Sequence, residues 1–318
     1  MLPAPFLKPV AMHIPDGFLS APIALIFWTV SILFIVIAVR NARSNFNDRQ
    51  IPLMGIMAAF IFAAQMINFP VIGGTSGHMI GGVLAAVTLG PWGGILVMTS
   101  VVSVQGLLFQ DGGLLVMGAN IFNMGVLPVL IGYGFYRAVI SSSKMVRLFT
   151  IAAAAWLSVI AGALFTGLQL WLSGTSPLQI VIPAMLGIHA LIGIGEALIT
   201  VAAVAFILRT RPDLIDAQAN APRGGKSWIL AGVLTALAVI LVSPLASVDP
   251  DGLESVAEQL GFNSLGMSAP YQLISDYNIP GLGDTHLSTI LAGLVGAVIV
   301  GLIAFVIIRM IRKPEKSI

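Results

Sequence analysis

Nine apolar segments run through this chain, most of them near the 20 or so residues a helix needs to cross a bilayer. They cover residues 21–39, 51–68, 79–89, 93–109, 114–136, 148–172, 183–208, 228–242 and 287–308. Inside lipid every backbone N–H and C=O must be satisfied within the protein, so segments of this length are helices. The rest of the composition agrees: 58% of the 318 residues are hydrophobic and 9% charged, where soluble domains carry about 25% charged residues. The expected fold is all-α and polytopic: a seven-helix bundle, then two further transmembrane helices bracketing an external loop. Segment 79–89 is short for a crossing, and Gly90-Pro91-Trp92-Gly93 separates it from 93–109. That leaves two short spans or a re-entrant hairpin.

Charge sets the orientation. Fourteen of the 15 Lys and Arg residues lie in four clusters, around residues 40–49, 137–147, 209–226 and 309–316, and only Lys8 stands apart. With nine elements all four clusters fall on one face, which the positive-inside rule makes cytoplasmic. The N-terminus is then outside, the C-terminus inside, and the protein is a multi-pass protein of the cell membrane. A net charge of +2, with basic residues confined to span ends, speaks against nucleic acid as a partner. The polar stretch 212–226, with Pro212, Pro222, Gly224 and Gly225, reads as a linker. It divides a first membrane domain, 12–211, from a second over 227–318; residues 1–11 form an N-terminal extension. Loop 243–286 carries Asp249, Asp251, Glu254, Glu258, Asp276 and Asp284 and no Lys or Arg. It is either a solvated loop cleared of cations by the orientation rule, or an acidic surface that gathers a divalent cation or docks on a partner.

Enzyme readings find little support. The chain has no Gly-x4-Gly-Lys-Ser/Thr phosphate loop, no His-Glu-x-x-His zinc motif and no Gly-x-Ser-x-Gly elbow. Without cysteine it has no thiolate ligand and no cysteine nucleophile. No cofactor is expected.

What remains is a set of polar residues in apolar surroundings. All four histidines, His13, His78, His189 and His286, fall at the external ends of spans, and imidazole is the commonest metal ligand. His13 follows Met12 in Met12-His13-Ile14-Pro15-Asp16-Gly17. In a chain beginning at Met12, the terminal amine, the His13 amide nitrogen and its Nδ1 would form fused chelate rings in one plane. Ni(II) and Cu(II) favour such planar nitrogen sites, with another histidine closing the square. Residues 1–11 make a poor signal peptide, since prolines interrupt them, so the mature chain is expected to begin at Met12. His78 ends the glycine-rich run 73–78, where the backbone can approach a loop or ion closely. Asp111, Asn120 and Asn123 follow; the two amides share one helix face inside an apolar span and serve as interhelical glue or orient a metal-binding loop. Glu196 is the one acid deep in a span, with His189 two turns outward. It is a hydrogen-bond anchor, a proton relay or a substrate site. Ala58, Ala59, Ala63 and Ala64 offer a small-residue face for docking a partner helix.

These motifs resemble a known family. Met12-His13-Ile14-Pro15-Asp16-Gly17, Gly77-His78, the 111–123 block and 187–200 are similar to the substrate-specific M subunit of nickel/cobalt energy-coupling-factor (ECF) transporters, CbiM or NikM. The stretch 243–247 and Pro250-Asp251-Gly252-Leu253-Glu254 resemble the PDGLE-type N component, which makes a fused M–N chain. The resemblance implies seven helices for M and two for N. It implies a square-planar Ni(II) or Co(II) site drawing on Met12, His13 and His78, with Asp111, Asn120, Asn123, His189 and Glu196 as polar support. It also implies transport driven by a separate transmembrane coupling subunit and ABC-type ATPase subunits. The PDGLE-type extension favours nickel. The departure from the family is the stretch 1–11, which removes the amine donor while attached. The alternative is a self-sufficient proton-coupled permease using Glu196.

Overall fold

The computed structural model describes residues 13–45, 50–215 and 227–311; the 1–11 extension, Met12 and the linker residues 216–226 lie outside them. The helices are α1 (Ala21–Asn45), α2 (Gln50–Gln65), α3 (Gly82–Val104), α4 (Met117–Asn120), α5 (Leu127–Ala138), α6 (Lys144–Leu172), α7 (Leu178–Thr210), α8 (Ser227–Val242), α9 (Gly252–Leu260) and α10 (His286–Ile311). Wider π turns extend α3 over Gln105–Phe109 and join α4 to α5 over Ile121–Val126. Seven stretches are long and apolar enough to cross a membrane, while α2 is shorter. Among the described residues, the strands are a hairpin of two three-residue segments, β1 (Phe69–Val71) and β2 (Thr75–Gly77).

The α3 stretch is the centre. Most of it is buried, whereas α1, α7 and α8 turn apolar surface outward as lipid-facing helices do. It is not straight. Gly90 adopts φ 71°, ψ 179°, a region only glycine occupies freely, and Pro91 restarts the helix with a ring that needs no N–H partner. A Cβ placed on Gly94 would sit 3.3 Å from the carbonyl carbon of Ala85. Nine residues of continuous helix would hold those positions about 13 Å apart. The arms 82–89 and 91–109 therefore double back on each other at Gly90, a path common to two short spans and to a re-entrant hairpin. The first arm is short because it begins inside the bundle: Ile80 and Gly81 donate to Glu196, midway along α7.

Two expectations need correction. The small-residue face of α2 is consumed within the chain: Ala58 and Ala63 are fully buried, and a Cβ on Gly55 would lie 3.1 Å from the Gly301 carbonyl of α10. Small residues let these backbones approach, so α2 packs between α8, α10 and α3, burying Ala58 and Ala63 and leaving Ala59 and Ala64 half-buried. Nor is 243–286 a simple solvated loop. It contains α9, capped by the Asp251 carboxylate on the Glu254 N–H (2.7 Å) and closed by Gly261 at φ 79°. Its Leu253, Val256 and Phe262 are buried with Ile14 and Phe18 in one cluster.

The Gly90 turn gives a clean test, because no atom lies within 4 Å of a Cβ placed there. Gly90→Ala adds backbone strain and no clash, and should destabilise the protein by about 1–3 kcal/mol. Thermal unfolding in detergent measures this, with Gly134→Ala, equally open but in ordinary helix, as the control expected to change little.

Candidate metal centre

The segment after Met12 enters the bundle as irregular backbone, and buried irregular backbone needs side chains to answer its polar groups. Asn120 does this for Ile14: its Oδ1 accepts from the Ile14 N–H at 3.0 Å and its Nδ2 donates to the Ile14 carbonyl at 3.0 Å. Gly113 N–H donates to the same carbonyl at 2.9 Å. The Asp16 carboxylate accepts from the N–H groups of Leu114, Leu115 and Val116 at 3.0, 2.9 and 3.2 Å. A Cβ on Gly112 would press on the His13 Cβ at 2.9 Å, which accounts for glycine there at φ 100°.

His13 is 3% exposed. Its Nδ1 lies 2.9 Å from the Asp111 carbonyl and 3.3 Å from Asp111 Oδ1, while Nε2 is buried with no hydrogen-bond partner. His78 meets it edge to face, ring centroids 5.7 Å apart, with its Nδ1 3.0 Å from the Met79 carbonyl. The His78 loop is fixed from below. Glu196 accepts from Ile80 N–H at 2.7 Å and Gly81 N–H at 3.1 Å, and Thr200 donates to it at 3.4 Å. From the side, a Cβ on Gly77 would strike Ile192. His189 is tied at Nδ1 to the Met185 carbonyl (2.8 Å). His13, His78, His189, Asn120, Asn123 and Asp251 all line one cavity of about 90 Å³.

The structure thus separates residues that the sequence grouped. Asn120 orients the His13 segment. Asn123 is interhelical glue, exchanging bonds with Gln169 of α6 at 2.8 and 3.0 Å and donating to Thr166. The Glu196 carboxylate is occupied by two backbone donors. His286 is exposed at the start of α10 and does not line the cavity. Met12 is outside the described residues. Among those described, no three His, Cys, Asp or Glu side chains are grouped to hold a metal ion. A site here draws on few side chains and on backbone nitrogen.

Three contributors were not assigned roles from sequence. Asp16 is the first. Asp251, 3% exposed, is the second: the Ser76 N–H and Oγ donate to Pro250 and Asp249 carbonyls at 2.8 Å each, which sets the PDGLE turn on the His78 loop. A Cβ on Gly252 would sit 2.9 Å from His189 Cε1. Burial, with the charge of Asp111 nearby, raises the Asp251 carboxyl above its ordinary pKa. The third is Tyr277, whose hydroxyl donates to Asp111 Oδ2 at 2.7 Å and receives Gln105 Nε2 at 3.3 Å. Burial and the neighbouring Asp111 hold it well above the usual phenol pKa, so it remains a donor. A tyrosine in a long loop, six residues from a second one, Tyr271, gives no sequence signal for this.

Comparison with known proteins agrees with this architecture. Residues 13–214 match the family model of the cobalt uptake substrate-specific transmembrane region, CbiM, and residues 226–313 match the PDGLE domain. The chain is 39% identical over 310 residues to a putative fused nickel transport protein NikMN of Archaeoglobus fulgidus, covering 95% of this chain and 99% of that one. It is 31% identical to a probable fused nickel transport protein LarMN of Lactiplantibacillus plantarum, covering 85% and 90%. A crystal structure of a truncated transition metal transporter, 34% identical, superposes with a TM-score of 0.56 over 62% of this chain and 98% of that one.

Asp16→Ala leaves three buried or half-buried N–H groups without their acceptor. At about 1–3 kcal/mol for each unsatisfied group, the 13–18 segment should come loose before the bundle does. Hydrogen exchange should rise sharply at residues 114–116 in this variant and stay unchanged in α6 and α7.

Proposed function

Because this chain belongs to the CbiM family of nickel/cobalt transport membrane proteins, with a PDGLE domain fused behind it, we propose that it is the substrate-binding subunit of an ATP-driven ECF-type importer. It captures Ni(II) or Co(II) through a planar set of nitrogens: the Met12 amine, the His13 amide and Nδ1, and His78. The observation that carries this reading is the convergence of His13 and His78, 5.7 Å apart at their ring centroids, on a cavity enclosed by polar side chains already committed to the backbone. A planar nitrogen set suits Ni(II), and the kinship to fused nickel transport proteins favours nickel over cobalt. An amide nitrogen binds a metal only after losing its proton, so loading releases protons. Met12 serves as a donor in a chain that begins there.

In this reading His13 Nδ1 leaves the Asp111 carbonyl for the metal while Asp111, fixed by Tyr277, stays beside the ring, and Asn120 and Asp16 hold the next three residues. Glu196 is an anchor for the His78 loop, not a proton relay. Residues 12–211 form the M domain, 212–226 a cytoplasmic linker and 227–318 the N domain, whose PDGLE turn closes the cavity on the external side. The N-terminus is outside and the C-terminus cytoplasmic. A transmembrane coupling subunit and ABC-type ATPases supply the energy.

Calorimetry on the purified chain tests the ligand set. His13→Ala and His78→Ala should each abolish tight Ni(II) binding, Tyr277→Phe should weaken it roughly tenfold, as loss of a ligand-orienting partner does, and His286→Ala should leave it unchanged. Normal binding by His78→Ala would remove it from the set. Intact-mass measurement of the metal-loaded native protein reports whether it starts at Met12. Uptake by vesicles containing this chain alone, driven by a proton gradient and lost in Glu196→Gln, would overturn the ECF reading in favour of a self-sufficient permease.

A further inference from the structure

A second cavity, of about 120 Å³, lies directly outside the first. Leu253 lines both, and Gly112, in the outer lining, backs His13. Its walls come from both parts of the chain: Gln110 and the 112–114 turn on one side, Glu254, Met267 and Asp276 on the other.

The outer cavity holds oxygen atoms with nothing to satisfy them. Gln110 is 8% exposed, with its carbonyl Oε1 lacking a donor; only its amide nitrogen is used, in a long 3.4 Å bond to the Leu108 carbonyl. Its backbone sits at φ 55°, a left-handed conformation unusual outside glycine, which fixes the side chain on this wall. Glu254 Oε2 is likewise buried without a partner. Asp276, also left-handed at φ 53°, supplies a second carboxylate. Among the described residues no Lys or Arg lines the cavity, and loop 243–286 contains none. A buried unpaired acceptor costs about 1–3 kcal/mol, so the Gln110 and Glu254 oxygens, with the more exposed Asp276 carboxylate on the same lining, stand as an unmet demand for positive charge. Burial raises Asp276 to about 6, with Asp111 adding, and Glu254 to about 7, with Asp251 and Glu258 adding, the direction expected of carboxyls lacking a counter-charge.

We propose that this outer cavity is an antechamber in which a divalent cation, still partly hydrated, rests on Gln110, Glu254 and Asp276 before exchanging water for the nitrogen donors beyond Leu253. This rests on the reading of the His13 cavity as the metal centre. The chemistry differs between the two chambers. Oxygen donors accept Mg(II), Mn(II) and Ni(II) with little discrimination and tolerate retained waters. Nitrogen donors hold Ni(II) and Co(II) far more tightly than the hard ions. The outer chamber gathers divalent ions and the inner one selects among them.

Mn(II) is the probe, since it prefers oxygen and its free aquo signal is lost from the electron paramagnetic resonance spectrum on binding. The full chain in detergent is compared with Glu254→Gln/Asp276→Asn, with Gln110→Leu and with His13→Ala/His78→Ala. The acid double variant should lose Mn(II) affinity at least about tenfold, while the histidine double variant keeps it, because its oxygen site is intact. In stopped flow the acid double variant should load Ni(II) roughly five- to tenfold more slowly with equilibrium Ni(II) affinity unchanged, which also shows that it is folded. The defect should persist in about 0.5 M salt, where diffuse attraction is screened within a few ångströms. Mn(II) binding that is absent from the full chain, or indifferent to both the acid and the Gln110 changes, overturns the antechamber, as does a loading defect that vanishes in salt. Ni(II) binding that survives His13→Ala/His78→Ala instead overturns the inner site, and leaves the Mn(II) result to stand or fall by itself.

Discussion

A membrane-embedded bundle can admit irregular backbone only where other groups of the protein answer its N–H and C=O groups, and three such stretches meet here: residues 13–18, 78–81 and 110–116. Each brings a functional side chain or its support to the same cavity. Asn120 answers the first, Glu196 the second and Asp16 the third, through seven backbone hydrogen bonds between 2.7 and 3.2 Å. Remove these side chains and the imidazoles of His13 and His78 lose their positions, although the helices around them would still have their packing. The polar residues buried in the spans are thus the scaffold for loops, and the loops carry the chemistry.

The PDGLE domain extends that scaffold from a distant part of the chain. Each letter of the motif has a physical role: Pro250 offers its carbonyl to Ser76 and Thr75, Asp251 caps α9, Gly252 allows close approach to His189, Leu253 separates the two cavities, and Glu254 lines the outer one. Tyr277 then reaches Asp111 from the opposite wall. The 13–18 segment is consequently held between two domains, and changes in how the second sits on the first are felt at His13 through Asp111 and at His78 through Ser76.

Much of this was legible in the sequence because membrane helices announce themselves by length and apolar composition, and eight of the nine segments correspond to helices of full or nearly full length. The ninth, 79–89, reads short for a physical reason: it starts at the depth of Glu196. His13, His78 and Asn120 were readable as candidates because a polar group stands out in an apolar chain, and the structure brings all three to one cavity. Asn123 shows the limit of that logic, since spacing placed it beside Asn120 while the π turn over Ile121–Val126 gave the two amides different partners. Ala58 and Ala63 show another, because small residues mark close packing without saying whether the neighbour belongs to the same chain. Tyr277 was invisible; its role depends on a backbone path through 275–277 that no local pattern encodes.

The distribution of oxygen and nitrogen bears on selectivity. At the inner cavity Asp251 accepts from a backbone N–H; behind the loops that form it, Asp16 and Glu196 do the same and Asp111 takes the Tyr277 hydroxyl. Carboxylates that would otherwise offer hard oxygen ligands are directed at the protein itself, while His13 Nε2 is buried without a partner and Nδ1 rests on Asp111. An ion that reaches this depth gains little from oxygen and much from imidazole, which penalises Mg(II), Ca(II) and Mn(II) relative to Ni(II) and Co(II). The same backbone bonds that keep the irregular segments folded therefore also remove the competing ligands. On this account selectivity for a nitrogen-seeking metal follows from how the fold satisfies its own polar groups, and a variant that freed one of those carboxylates would relax selectivity and loosen the loop together.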